Sequence, residues 1–229
     1  MTESRTFFAL DFDRCLADLD QLYGMLVVVV QDLGFMTSHE LGEARQAVET
    51  NGGSFDVMDY LESKLTTDQL NKLVDTYLSY SIDEPDRFLN PGARQLLDWL
   101  DESKLDHGIV TYGGTLWQSL KIKRTGLSDI TRYVVDNPDK ATLIASWYDA
   151  MNSGYKLPTA LSLGDRYQSI VLVDDKARAF NGLDDSPNAR GYWLQGSELL
   201  ASQQGSVPEN VRIIKSLDEV VNYERLLLT

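Results

Sequence analysis

Cysteine is almost absent from this chain: among 229 residues only Cys15 carries a thiol. A single thiol excludes an internal disulfide and fits a reducing compartment. Histidine is scarce as well, with only His39 and His107, so no His/Cys cluster of the zinc-binding kind can be assembled. Neither histidine stands where it would serve Cys15 as a base, and Cys15 is expected to be packing, not a nucleophile. Long apolar runs are missing. The longest, Met25 to Val30, has six residues, against the ~20 that a bilayer-spanning helix needs. Met1-Thr2-Glu3-Ser4-Arg5 leads into the first apolar stretch without a secretory-type leader, so a cytoplasmic location is expected. Positive charge is also in short supply, with 21 Lys and Arg against 35 Asp and Glu and a net charge of −14. A phosphate backbone would be repelled over most of such a surface, and nucleic acid is not an expected partner. A small anion remains admissible where a site supplies its own cations.

What is present begins with Phe7 to Asp18, FFALDFDRCLAD. Four apolar residues running into Asp11 and Asp13 read as a strand buried on both faces, with its carboxyl end turned acidic. In open α/β sheets that end borders the ligand crevice. Two carboxylates this close call for a hard cation such as Mg²⁺ between them, or for a proton on one of them. The alternative is a strand end whose aspartates only solvate a turn.

With 43% hydrophobic residues over this length, the chain can bury one full core plus a smaller accessory domain. Residues 17–88 read as four amphipathic helices without a strand pattern. The first runs from Asp18 to Gly34 with Leu19, Leu22, Tyr23, Leu26 and Val30 on one face, and capping boxes at Thr37–Glu40 and Thr66–Gln69 open two others. The segment is taken as an insertion, which gives a core of 1–16 and 89–229 and a helical cap of 17–88. From Asn90 onward helices and strands alternate: Asn90-Pro91 as a helix start, His107–Thr111, Tyr133–Val135, Asn137-Pro138 as another helix start, Ile170–Val173, Gly191–Leu194 and Val211–Ile214, then a helix from Leu217 to Leu227. That alternation predicts an α/β fold with a doubly wound parallel sheet.

Strand ends and helix starts share one edge of such a sheet, so Asp11, Asp13, Thr111, Lys140, Asp174 and Asp175 are expected to converge, with the backbone amides of Tyr112-Gly113-Gly114 beside them. The inventory of carboxylates, a hydroxyl, amides and one ammonium suits a phosphoryl group bound next to Mg²⁺. Among rival lysines, Lys121 and Lys123 lie roughly 10–15 Å along their helix from Thr111 at about 1.5 Å per residue. Lys156 and Lys176 are the other two, with Lys176 second choice to Lys140. Asp165 precedes its strand and is expected at the opposite edge.

The residues resemble the motifs of the haloacid dehalogenase-like superfamily. FFALDFDRCLAD is similar to its first motif, HGIVTYGG to its second, Lys140 to its third and IVLVDDKARAFNGL to its fourth. Arg14 and Cys15 stand where Gly-Thr is usual; Arg14 either assists an anionic substrate or points to solvent. The cap matches by position only, as a type 1 helical cap.

The resemblance implies a Mg²⁺-dependent phosphatase acting on a small phosphorylated metabolite. Asp11 would be the nucleophile and Asp13 the acid and base. Thr111, Tyr112, Gly113 and Lys140 would bind the phosphoryl group. Mg²⁺ would be held by Asp11, the Asp13 carbonyl and the Asp174–Asp175 pair, with Asp175 the direct ligand. Asp13 argues against a dehalogenase, which protonates no alcohol; a phosphomutase and a non-catalytic phosphate or metal binder are the alternatives. The cap is expected to act as a lid, and the oligomeric state is not legible.

Overall fold

The computed structural model describes residues 5–51, 55–80, 85–161, 166–195 and 207–227. Asp165, the acidic loop residues Asp83 and Glu84, and Gly52-Gly53 lie outside the described residues. The elements begin with β1 (Thr6–Leu10), followed by α1 (Leu19–Asp32), α2 (Ser38–Thr50), α3 (Val57–Glu62) and α4 (Thr67–Ser79). Next come α5 (Ala93–Glu102), β2 (Asp106–Tyr112), α6 (Thr115–Arg124), β3 (Arg132–Val135), α7 (Lys140–Trp147) and the short strands β4 (Tyr148–Asp149) and β5 (Gly154–Tyr155). The chain closes with β6 (Ser169–Asp174), β7 (Ala189–Leu194), β8 (Val211–Ile214) and α8 (Asp218–Leu227).

Packing divides the chain into two units, one of residues 1–17, 89–112 and 129–229, the other of residues 18–88 and 113–128. The first unit is an α/β sandwich around a six-stranded sheet in the order β3-β2-β1-β6-β7-β8, with every pairing parallel. Successive side chains of β1 alternate between its faces. Phe7 and Ala9 join Ile144, Trp147, Ile170 and Leu172 on one side, while Phe8 meets Trp99 of α5 edge-on at 5.9 Å on the other. This is the doubly wound parallel sheet that the alternation predicts. The pair β4–β5 is an antiparallel ribbon too short to leave a sequence pattern.

The second unit is helical, and its core joins Leu26, Val30, Leu41, Met58, Leu73 and Tyr77 to Trp117 and Leu120. Trp117 and Leu120 bring α6 into this unit, whereas the sequence reading keeps 113–128 with the core; their large apolar side chains are buried among the helices and outweigh chain order. The Thr66 capping box forms as expected, with Gln69 N donating to Thr66 Oγ1 at 3.3 Å and Thr66 N to Gln69 Oε1 at 2.9 Å. Among the described residues no helix is long and apolar enough to cross a membrane.

Both Asn-Pro helix starts are corrected. Helix α5 begins at Ala93 after Gly92, with no side-chain cap, and the Asn90 amide instead donates to carbonyls of the chain after β1. At α7 the cap is Asp139, whose carboxylate accepts from Thr142 N at 3.1 Å, while Asn137 accepts from Asp139 N at 2.9 Å.

Candidate active site

In the order β3-β2-β1-β6-β7-β8 the chain runs one way from β1 to β2 and β3, and the other way from β6 to β7 and β8. The carboxyl ends of β1 and β6 therefore flank the point where the winding direction reverses, the usual crevice of an open parallel sheet. Asp11 follows β1, with its amide donating to Val173 O at 2.9 Å. Asp174 ends β6 and Asp175 follows it. Lys140 is the first residue of α7, and Thr111 is the penultimate residue of β2.

All but one of these residues are buried: Asp11 is 4% exposed, Lys140 3%, Asp174 1% and Thr111 0%, while Asp175 is half-buried. Lys140 Nζ lies 2.5 Å from Asp11 Oδ1 and 2.5 Å from Asp174 Oδ2. The other Asp174 oxygen accepts from Lys176 N at 2.8 Å. Asp174 is thereby satisfied at both ends. Asp11 Oδ2, Asp175 Oδ1 and Thr111 Oγ1, in contrast, are buried with no hydrogen-bond partner among the described residues.

Three carboxylates face one ammonium, and burial in this company shifts the proton affinities of Asp11 and Asp175. Burial pushes the Asp11 carboxyl up to about 8, with Asp174 and Asp175 adding to the rise and Lys140 opposing it. Burial likewise pushes Asp175 up to about 6, against the pull of Lys176. For Lys140 burial alone would favour the neutral amine, but Asp11 and Asp174 more than offset it and hold the ammonium well above its ordinary value. A proton or a further cation is needed to balance the cluster.

One carboxylate oxygen each from Asp11, Asp174 and Asp175 lies within 4.8 Å of the others. An all-oxygen set with two orphaned buried oxygens fits a hard divalent cation such as Mg²⁺ and fits zinc poorly. The Asp13 carboxylate is not part of that group. The turn beyond β6 is fixed by Trp193 of β7, whose indole N–H donates to Asp175 O at 3.0 Å.

Other residues singled out in the sequence sort as follows. Asp13 is half-buried on the loop after β1, and Arg14 beside it is exposed with a left-handed backbone, φ 63. Cys15 is fully buried, its thiol 3.8 Å from Val173 O, and burial holds it well above its ordinary pKa; it packs, as expected. Tyr112 is half-buried against the apolar side of the sheet that holds Val110 and Trp147. Gly113, in the second unit, has φ +141, and a Cβ there would meet Gln118 Nε2 at 2.8 Å, so only glycine fits. Lys176, Lys123 and Lys156 have exposed side chains. Lys121 is buried in the second unit with its ammonium 5.2 Å from the centre of the Trp117 ring. His107 is half-buried, with Nδ1 3.0 Å from Leu105 O; His39 is exposed beside Glu43. Asn90 donates to Arg14 O and Cys15 O after β1, and Trp193 to Asp175 O after β6, and neither stands out in the sequence. Asn90 reads locally as a helix start, and Trp193 as one more apolar strand residue.

No family model matches the sequence, and no curated protein matches it either. Solved structures do match. A protein named as a haloacid dehalogenase-like hydrolase from Burkholderia xenovorans LB400 has a TM-score of 0.65 at 18% identity, with 99% of each chain covered. A HAD-hydrolase from Bacillus subtilis bound to magnesium has a TM-score of 0.52 at 16% identity, covering 96% of this chain and 98% of its own. A protein named as a β-phosphoglucomutase from Thermotoga maritima has a TM-score of 0.53 at 16% identity, covering 97% of this chain and 99% of its own. With its sheet order, its acidic crevice and these likenesses, the chain has the fold of the haloacid dehalogenase-like hydrolases.

Proposed function

We propose that this protein is a Mg²⁺-dependent phosphatase that hydrolyses a small phosphomonoester through an aspartyl-phosphate on Asp11. The observation that carries the reading is the division of labour within the Asp11 carboxylate. Oδ1 is held by Lys140, while Oδ2 is buried without a partner. A bare, desolvated carboxylate oxygen is a competent nucleophile, and the ammonium on its twin fixes its direction. Asp11 Oδ2 attacks phosphorus, the Asp11–phosphorus bond forms and the bond to the substrate alcohol breaks. Asp13 gives its proton to the departing alkoxide. Asp13 then takes a proton from water as the water oxygen attacks phosphorus, releasing inorganic phosphate and restoring the Asp11 carboxylate. The buried Thr111 hydroxyl, which has no partner among the described residues, donates to a phosphoryl oxygen, and Tyr112 supplies a backbone amide.

Asp11, the Asp13 carbonyl and Asp175 would hold Mg²⁺, and Asp174, occupied by Lys140 and Lys176, would steady it from outside. Bound there, Mg²⁺ would supply charge neutralisation for the phosphoryl oxygens. The fold shared with a Bacillus subtilis HAD-hydrolase bound to magnesium supports that choice. A phosphomutase is the second reading, favoured by the likeness to the protein named as a β-phosphoglucomutase.

Release of inorganic phosphate from a panel of phosphorylated metabolites with Mg²⁺ tests the proposal. Phosphate is expected from at least one of them, with turnover lost in EDTA and in Asp11→Asn. Turnover in thoroughly chelated buffer would overturn it, and isomerisation without phosphate release would favour the mutase.

A further inference from the structure

The loop that carries Asp13 is clamped from outside. After Asp11 the chain turns tightly, with Ala17 N donating to Phe12 O at 2.9 Å and Arg14 N to Ala17 O at 2.8 Å. Arg14 stands at φ 63, a left-handed conformation that a non-glycine residue keeps only where its surroundings enforce it. Asn90 adds to the Arg14–Ala17 bond in holding it there. Its side-chain Nδ2 lies 2.9 Å from Arg14 O, 2.8 Å from Cys15 O and 3.4 Å from Ala17 O, and its backbone N donates to Leu16 O at 2.9 Å. An amide has two hydrogens, so the two shorter contacts are full bonds and the third is grazing. Three carbonyl acceptors also fix which end of the amide faces the loop, because only the NH₂ end can donate.

The clamp has a rigid base. Ala93 N donates to Asn90 O at 3.0 Å, closing a turn through Pro91 and Gly92. Gly92 has φ +81, and a Cβ there would lie 2.7 Å from Asp218 N, so the turn is seated directly on the start of α8. The reach of Asn90 is therefore set by the packed core and not by the loop it holds.

We propose that Asn90 is a positioning residue for Asp13: its amide locks the turn of residues 13–17 so that the Asp13 carboxyl stands where the leaving alcohol needs its proton. The proposal rests on the phosphatase reading. At saturating Mg²⁺ it predicts a loss concentrated in proton transfer, because the Asn90 amide bonds to Arg14 O and Cys15 O while Asp11 is held by Lys140. The test compares wild type, Asn90→Asp and Asn90→Ser at saturating Mg²⁺ on an alkyl phosphate and on p-nitrophenyl phosphate, whose leaving group needs little protonation. Asn90→Asp keeps the size but turns oxygens toward carbonyl oxygens, whereas Asn90→Ser retains one short donor and keeps the test open if the aspartate variant fails to fold.

The expected result is a fall in kcat of about tenfold or more on the alkyl phosphate, a change below about threefold on p-nitrophenyl phosphate, and little change in KM. Amide hydrogen exchange should quicken at Arg14 and Ala17 and stay unchanged at Phe7–Leu10. Unchanged exchange at Arg14 and Ala17, or equal kcat losses on both substrates, would overturn the positioning role while the wild-type activity leaves the phosphatase reading standing. A wild type that hydrolyses neither substrate nor any phosphorylated metabolite would overturn both.

Discussion

Lys140 sets the charge balance of the site, since its ammonium is the group within 2.5 Å of both Asp11 and Asp174. Lys140→Met would leave two buried carboxylates facing each other, and removing one member of a buried ion cluster costs about 3 kcal/mol or more. Urea unfolding in Mg²⁺-free buffer should show that loss, with part of it recovered on adding Mg²⁺; an unchanged midpoint would contradict the geometry. Asp11→Asn should act in the opposite sense on stability. Its carbonyl can still accept from Lys140, and a group whose charged form is disfavoured by burial and by Asp174 and Asp175 is replaced by a neutral one. Turnover should vanish while the melting temperature in Mg²⁺-free buffer rises, as when a strained functional group is relieved. A lower melting temperature would count against that relief. At this scale the chain's order named Asp11, Thr111, Lys140, Asp174 and Asp175, because each ends a strand or begins a helix. It could not say that Asp174 is saturated by Lys140 and Lys176 while Asp175 keeps a bare oxygen, since that depends on side-chain directions.

Among the elements, β7 and α8 are tied by a buried carboxylate. Glu224 accepts from Arg190 Nε at 2.7 Å, from the second Arg190 nitrogen at 2.5 Å and from the Tyr192 hydroxyl at 2.7 Å. Arg190→Ala would strand Glu224, which is 1% exposed, and should lower stability by about 3 kcal/mol in urea unfolding. A loss below about 1 kcal/mol would mean that water replaces the arginine. In the helical unit, Thr66→Ala removes one cap bond and should cost about 1 kcal/mol, read by the same unfolding experiment. The Thr66 box was legible in the sequence because cap and partner are three residues apart. The Arg190–Glu224 pair spans 34 positions and has no local signature. Asn90 shows the same limit from the other side: Asn-Pro-Gly reads as a helix start, but the amide's acceptors lie some 75 positions earlier.

For the molecule as a whole, a divalent cation taken up at the orphaned oxygens of Asp11 and Asp175 would couple metal binding to folding. A ligand at 100 times its Kd that binds only the native state adds about 2.7 kcal/mol. Millimolar Mg²⁺ should therefore raise the melting temperature, EDTA should reverse the rise, and Asp175→Asn should blunt it; a melting temperature indifferent to Mg²⁺ would argue that the cluster is balanced by a proton alone. The sequence by itself determined the parallel α/β sheet, the helical segment between the first two strands and the set of residues at the strand ends, because apolar periodicity and short-range caps are written in neighbouring positions. Only the tertiary structure decided that α6 packs with the helical unit through Trp117 and Leu120, that the reversal of strand order falls between β1 and β6, and that Asn90 clamps the Asp13 loop. Those outcomes depend on which distant surfaces bury one another and on where one amide finds its carbonyls, and both are set by packing across the chain.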